Sequence, residues 1–166
     1  MVQLNQLEYK WVKQTRDELL RFCGELTPED FARNLETFGD QSVRGLLMHM
    51  ADCYHAWLNA YLLAGTTKPL TPKDIVQHYT IEDVRARFAA ADELVEQVMA
   101  VFADRLDEAI VKRIPWRENG DSVSLTARKL LLHTVTHEFH HKGHITAMAR
   151  QMGYIPVNTD VLGTED

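Results

Sequence analysis

Residues 125–152 read "LTARKLLLHTVTHEFHHKGHITAMARQM" and carry five histidines between positions 133 and 144. At about 100° per residue, His137 and His141 fall roughly 40° apart on one face of a helix, one turn from each other. Leu130 shares that face, which is the pattern of a helix that turns one side toward a core. The stretch therefore predicts a long helix whose two histidines face the interior of a helical bundle.

Three further stretches show the three-four spacing of buried helix faces, and strand alternation is almost absent. They cover residues 4–26, 42–64 and 80–109. "VKRIPWRENGDSVS" (111–124) is the one plausible hairpin, with Asn119-Gly120 as its turn, and "TTKPLTPKDIVQHY" (66–79) reads as a connection. With no internal repeat in the 166 residues, the predicted fold is all-α, a four-helix bundle in a single domain, 1–166.

Local signals support the helix starts. Thr27 can cap a short helix that begins with Pro28, and Thr80 with Asp83 resembles a capping box at the start of the third long helix. Gly65 is placed to end the second long helix.

The composition limits the partners. Lys plus Arg is 18 against 24 for Asp plus Glu, a formal net charge of −6, which argues against nucleic acid or an anionic membrane surface. No signal-peptide pattern opens the chain and no run of 18 apolar residues occurs, so a cytoplasmic location is expected. Cys23 and Cys53 are then expected to be free thiols.

His137-Glu138-Phe139-His140-His141 matches the H-E-x-x-H pattern of zinc peptidases. The longer form of that motif needs Gly and His at positions that His144 and Ala147 occupy. Glu138 lies about 100° round the helix from His137, toward the flank of the metal face. A peptidase is therefore not expected, although the two histidines keep the spacing of metal ligands.

Two imidazoles cannot complete a tetrahedral metal site, so a third ligand must come from another helix. His49 is the best supplier, because in "LLMHMADCYHAWL" (46–58) it shares a face with Leu46 and Cys53. A single interior histidine is more often a hydrogen-bonded core residue, but three that converge would be costly to bury unpaired. The prediction is a site of His49, His137 and His141 for zinc or nickel.

Other residues near this site receive subordinate roles. His133 and His144 are candidates for supporting or pocket residues, and Asp52, three residues after His49, is the candidate to orient a ligand imidazole. Cys53 is expected to be a small buried thiol rather than a ligand or nucleophile. The remaining histidines, His55, His78 and His140, are expected at the surface or flank. A second apolar stripe on the last helix consists of Leu132, Val135 and Phe139, and it is expected to pack in the core or to form a dimer surface.

The stretches "LLMHMADCYHAW" (46–57), "LLLHTVTHEFHHKGHI" (130–145) and "GYIPVNTD" (153–160) together resemble the DinB/YfiT-like group of small metalloenzymes. The resemblance covers nearly the whole chain. It implies a four-helix bundle, often a homodimer, that binds zinc or nickel through three histidines, here His49, His137 and His141. Many members carry Gln where this chain has His144.

The resemblance further implies a metal-dependent enzyme that acts on a small-molecule substrate with a low-molecular-weight thiol as cofactor, since relatives include thiol-dependent transferases and an isomerase. The same three histidines would also suit a metal-dependent hydrolase. A non-catalytic, metal-binding stress-response module stays open, with His144 as a fourth ligand closing the site. Glu138-x-x-His141 and Asp52-x-x-His55 also suggest a di-iron carboxylate bundle, but inward glutamates on the other two helices are not convincingly placed.

Overall fold

The structure, a computed structural model, describes residues 5–166, so Leu4 of the first predicted helix lies outside the described residues. The helices and strands follow in the order α1 Gln6–Cys23, α2 Pro28–Ala32, α3 Val43–Tyr54, α4 Lys73–Val76, α5 Ile81–Val101, β1 Ile110–Lys112, β2 Val123–Leu125 and α6 Ala127–Gln151. Short 3-10 turns cover Glu36–Phe38 and Val161–Gly163. The all-α class predicted from the sequence is confirmed.

The helix starts follow the side chains that cap them. Thr27 accepts a hydrogen bond from the Asp30 amide before Pro28 opens α2. Thr80 and Asp83 form the predicted reciprocal capping box before α5. A second box, formed by Asn5 with Glu8, opens α1.

The second long helix changes its winding partway along. Val43–Tyr54 is α-helical, and His55–Leu63 continues it as a π-helix. In a π-helix each backbone hydrogen bond joins residues five apart instead of four, and such segments often lie near functional sites. The segment ends at Ala64, which adopts the left-handed conformation (φ 55°), rather than at the predicted glycine one residue later.

α3 lies at the centre of the bundle and packs against both α5 and α6, while α1 packs against α5. Their facing side chains form one core that includes Leu47, Tyr54, Phe88 and Met148. This packing holds α3 beside α6 and so sets the distance between the histidines of the two helices.

The hairpin forms where the sequence predicts it, with β1 and β2 antiparallel and Val111 opposite Ser124. A loop over residues 113–122 joins the strands, in place of the predicted tight two-residue turn. The Tyr61 hydroxyl lies 2.9 Å from the Ile110 carbonyl oxygen and 3.0 Å from that of Val123. The hairpin is thereby tied to the π-helical segment.

Two boundaries differ from the sequence predictions. α5 ends at Val101 instead of about residue 109, because the following segment is held across the start of α6. There the Arg128 amide donates to the Leu106 carbonyl, and the Arg128 side chain pairs with Asp107. The predicted connection 66–79 also contains the single turn of α4.

In the described part of the chain, no helix combines the length and the apolar character needed to cross a membrane.

Candidate metal centre

Three histidines from two helices meet where α3 packs against α6. α3 contributes His49, and α6 contributes His137 and His141 one turn apart. One ring nitrogen from each lies within 4.8 Å of the others. The His49 ring centroid is 4.8 Å from those of both partners, and the two α6 rings are 4.5 Å apart. The residues singled out by helical spacing are thus brought together.

The cluster lies at the edge of the bundle rather than in its interior, so the expectation of an interior site was wrong. His49 is exposed and the two α6 histidines are half-buried. Beside its contact with the α6 histidines, His49 also borders an open cavity. A site at this position is accessible to small molecules.

The electrostatics keep the α6 imidazoles neutral. Burial, followed by repulsion from neighbouring histidines, lowers the pKa of His137 to about 4 and that of His141 to about 3. At neutral pH each ring therefore has an unprotonated nitrogen. Neutral imidazole is the form that binds metal.

One ring nitrogen in the cluster lacks a partner. His137 Nδ1 is buried and has no hydrogen-bond partner among residues 5–166. Leaving a polar atom buried and unpaired is costly, and a metal ion would satisfy it if that nitrogen is the ligand. Nitrogen ligands of one tetrahedral ion at 2.0–2.1 Å lie about 3.4 Å apart, so side-chain rotations would suffice to close the set. The residues present fit a divalent transition metal.

His144 lies beside this set rather than within it. Its Nδ1 is 3.2 Å from Nδ1 of His141, so the two rings share a hydrogen bond. His144 also forms a second group of three, with His140 and His141, whose ring nitrogens lie within 4.8 Å of one another. The three-histidine set is therefore not completed by a fourth imidazole.

His133 and Cys53 flank the cluster on the other side. Cys53 Sγ lies 3.7 Å from His133 Nε2, and the His133 ring is 5.5 Å from that of His137. Burial raises the pKa of the Cys53 thiol to about 12, as expected for an inert buried thiol. Trp57 packs against both His133 and Trp116 and forms an aromatic wall beside the cluster.

Asp52 is buried, and its carboxylate serves a loop instead of a ligand. Both oxygens accept hydrogen bonds from Thr71, at 2.7 Å from the amide and 2.9 Å from the hydroxyl. Arg87 adds two more, at 2.9 and 2.8 Å. Since all hydrogen bonds found for this carboxylate within residues 5–166 go to these two partners, Asp52 anchors the connection 66–79 beside the cavity.

Glu138 is the largest departure from the sequence predictions. It was expected on the flank of the metal face, and it is directed away from the histidines, but its side chain is fully buried. Its oxygens accept from Arg16 at 3.0 Å, from the Tyr54 hydroxyl at 2.7 Å and from Lys142 at 2.8 Å. Burial alone would raise its pKa, but Arg16 and Lys142 hold it at about 2. The carboxylate is permanently charged and structural.

This buried network, formed by Tyr9, Arg16, Tyr54, Asp92, Glu138 and Lys142, was missed from the sequence. A signal was present. Arg16 stands on the buried stripe of α1 between Val12 and Leu19, where an apolar residue would be usual. A charged side chain at such a position needs a buried partner of opposite charge.

Two further expectations were also incorrect in part. His55 is 6% exposed, not a surface residue, and its Nε2 lies 3.2 Å from the Arg87 carbonyl oxygen. His78 and His140 are exposed as expected. In the apolar stripe, Leu132 is 59% exposed, whereas Val135 and Phe139 pack against the core.

A cavity of about 620 Å³ adjoins the cluster and is lined by both His49 and His141. Its volume is within the range of small-molecule sites. Polar and charged side chains line it, among them Asp40, Arg44 and Lys73. A polar small molecule held there would lie against two of the three histidines.

Comparison with known proteins agrees with this geometry. The chain is 27% identical over 156 residues to the uncharacterized protein YizA of Bacillus subtilis (strain 168), across 94% of this chain and 91% of that protein. A model of the DinB family matches residues 1–166. The histidine cluster fits a metal-binding protein of this kind. The chain belongs to the DinB family.

Proposed function

We propose that this protein is a metal-dependent enzyme in which His49, His137 and His141 bind one divalent transition metal, zinc or nickel. The ligand set is supported by three ring nitrogens within 4.8 Å of one another and by Nδ1 of His137, which is buried without a hydrogen-bond partner among residues 5–166. Imidazole ligands suit both ions.

The observation that carries the enzymatic proposal is the cavity that opens onto His49 and His141. A structural metal site has four protein ligands and no open position, whereas a catalytic site has three and leaves one for water or substrate. Because no fourth side chain from residues 5–166 joins this set, the open position would face the cavity.

The reaction we propose is a substitution in which the sulfur of a low-molecular-weight thiol forms a bond to an electrophilic carbon, the bond from that carbon to its leaving group breaks, and the thiol proton is released to solvent. When bound, the metal would favour the thiolate form of that thiol, which is its nucleophilic form. The chain's own residues would position the two reactants. Arg44 and Lys73 supply positive charge in the cavity wall, and Trp57 with Trp116 supplies an apolar surface on the far side of the cluster.

Cobalt substitution tests this directly, because the visible spectrum of Co²⁺ changes when sulfur replaces oxygen at the metal. Adding glutathione or 2-mercaptoethanol to the cobalt protein is expected to shift the bands and to add a sulfur-to-metal absorption. His144→Gln should respond as the wild type does, since His144 stands outside the set. A cobalt protein that keeps its metal and responds to no thiol would contradict the transferase and favour hydrolysis.

A further inference from the structure

His141 belongs to two different groups of three histidines. The first is the set of His49, His137 and His141, and the second is that of His140, His141 and His144. In each group the ring nitrogens lie within 4.8 Å of one another. Only the first has a role in the proposed function.

The second group has the geometry of a chelate on a helix surface. His140 and His144 are separated by one turn of α6, and their ring centroids are 4.4 Å apart. The His141 ring lies 4.9 Å from that of His140 and 5.2 Å from that of His144. Side chains four residues apart on a helix face are neighbours, so two such histidines can bind one ion.

The two groups differ in their access to solvent. His140 is exposed and His144 half-buried, and neither lines the 620 Å³ cavity. In the first group, Nδ1 of His137 is buried. The five rings thus form a continuous series from the solvent face of α6 to a buried nitrogen, and its outer members, His140 and His144, lie outside the cavity.

We propose that His140, His141 and His144 form a second, weaker site for the same class of divalent transition metal, and that the ion passes between this site and the first one. This proposal rests on the proposed function, because the first site is the one to which the ion is delivered. His141 is the residue through which the ion is transferred.

The hydrogen bond between His141 and His144 explains why the two sites would alternate. Their Nδ1 atoms are 3.2 Å apart, so one carries a proton and the other accepts it. When His141 donates through Nδ1, its Nε2 is the nitrogen free for a metal. When the ring binds an ion through Nδ1 in the second group, the hydrogen bond is lost and Nε2 carries the proton. A neutral His141 therefore serves one site at a time.

The second site should be the weaker one for two reasons. Binding there breaks the His141–His144 hydrogen bond, and it orders His140, whose exposed side chain is free to move. The first site gains instead from satisfying a buried nitrogen.

Calorimetric titration of untagged, metal-free protein with NiCl₂ tests the existence of the second site. The double variant His49→Ala/His137→Ala should still bind nickel at the second site, more weakly than wild type. Adding His140→Ala and His144→Ala should abolish this binding, whereas adding His78→Ala, an exposed histidine away from both groups, should not. A double variant that binds no nickel would overturn the second site.

A double variant that binds nickel as tightly as wild type would instead refute the first site, so failure of the proposed function is distinguishable. The transfer step is tested by stopped-flow uptake of zinc from a chromophoric chelator. His140→Ala should slow uptake severalfold while the equilibrium affinity stays within about twofold. Equal uptake rates in wild type and variant would overturn the transfer.

Discussion

Two pairs of residues on α6 have the same spacing and opposite characters. Glu138 and Lys142 are one turn apart, as are His137 and His141. The first pair is almost entirely buried, and Glu138 and Lys142 bind each other as well as Arg16, Tyr54 and Thr15. The second pair is half-buried, lies beside a cavity, and includes a nitrogen with no hydrogen-bond partner in the described part of the chain.

The difference separates structural polar groups from binding groups. A buried charge that is fully hydrogen-bonded has no capacity left for a ligand, so it can contribute only to the fold. A polar group that still has an unused hydrogen-bonding atom can bind an ion or a substrate. The peptidase pattern combines the two histidines with Glu138, a member of the buried pair, which is why Glu138 is not expected to act as a base.

Glu138→Gln should have the largest effect on stability. It removes the anion that compensates Arg16 and Lys142, both 1% exposed, and removing one partner from a buried ion pair costs about 3–5 kcal/mol. Urea denaturation would measure the change in the free energy of unfolding. Glu18→Gln, which breaks an exposed pair with Arg21, should leave the free energy of unfolding nearly unchanged.

If the two substitutions lower the free energy of unfolding equally, the buried network around Glu138 stabilises the fold no more than an exposed ion pair does. The folded fraction of Glu138→Gln should keep its metal, because Glu138 is outside the histidine set. Loss of metal in that variant would revive a site that includes the carboxylate.

Asp52→Asn should have an intermediate effect on stability, of about 1–3 kcal/mol, because it weakens the charged hydrogen bonds with Thr71 and Arg87. Metal affinity should change by less than about threefold. Replacing a residue that orients a ligand imidazole typically lowers metal affinity 10–100-fold. A loss of that size would show that Asp52 orients a metal ligand.

The pH dependence of the metal-free protein is the smallest effect. Below pH 6.5 an unfolded chain protonates its histidines, whereas His137 and His141, with pKa values of about 4 and 3, stay neutral when folded. Stability should therefore fall as the pH decreases from 6.5 to about 3. The effect is reduced because both rings are half exposed.

Urea denaturation at pH 7, 6 and 5 would measure this slope. His137→Gln/His141→Gln should flatten it, while His78→Gln, which removes an exposed histidine, should leave it unchanged. A double variant with the wild-type slope would show that these two rings are not the ones kept neutral by the fold.

The sequence predicts helix starts and histidine convergence well because both depend on local spacing. Thr27 and Thr80 act within one turn of themselves, and His137 and His141 share a face by helix geometry alone. His49 is identified from the helix face that it shares with Leu46 and Cys53, and the family resemblance selects the same residue.

The burial of Glu138 and His55 could not be predicted in the same way. A helix angle gives the direction of a side chain but not the neighbour it meets. Glu138 meets Arg16, 122 residues away, and His55 meets the carbonyl of Arg87, 32 residues away. The position of the histidines at a cavity edge likewise depends on how the connection 66–79 is anchored, which Asp52 decides through a tertiary contact.

Metal content is the most direct test of the central claim, which is that His137 and His141 of α6 bind a metal ion together with His49. Untagged protein purified without chelator should contain about one zinc or nickel per chain by elemental analysis. His49→Ala should be nearly empty, and Glu138→Gln should match the wild type. A wild-type site that is empty and cannot be refilled by either ion, or a His49→Ala variant that keeps its metal, would contradict the account.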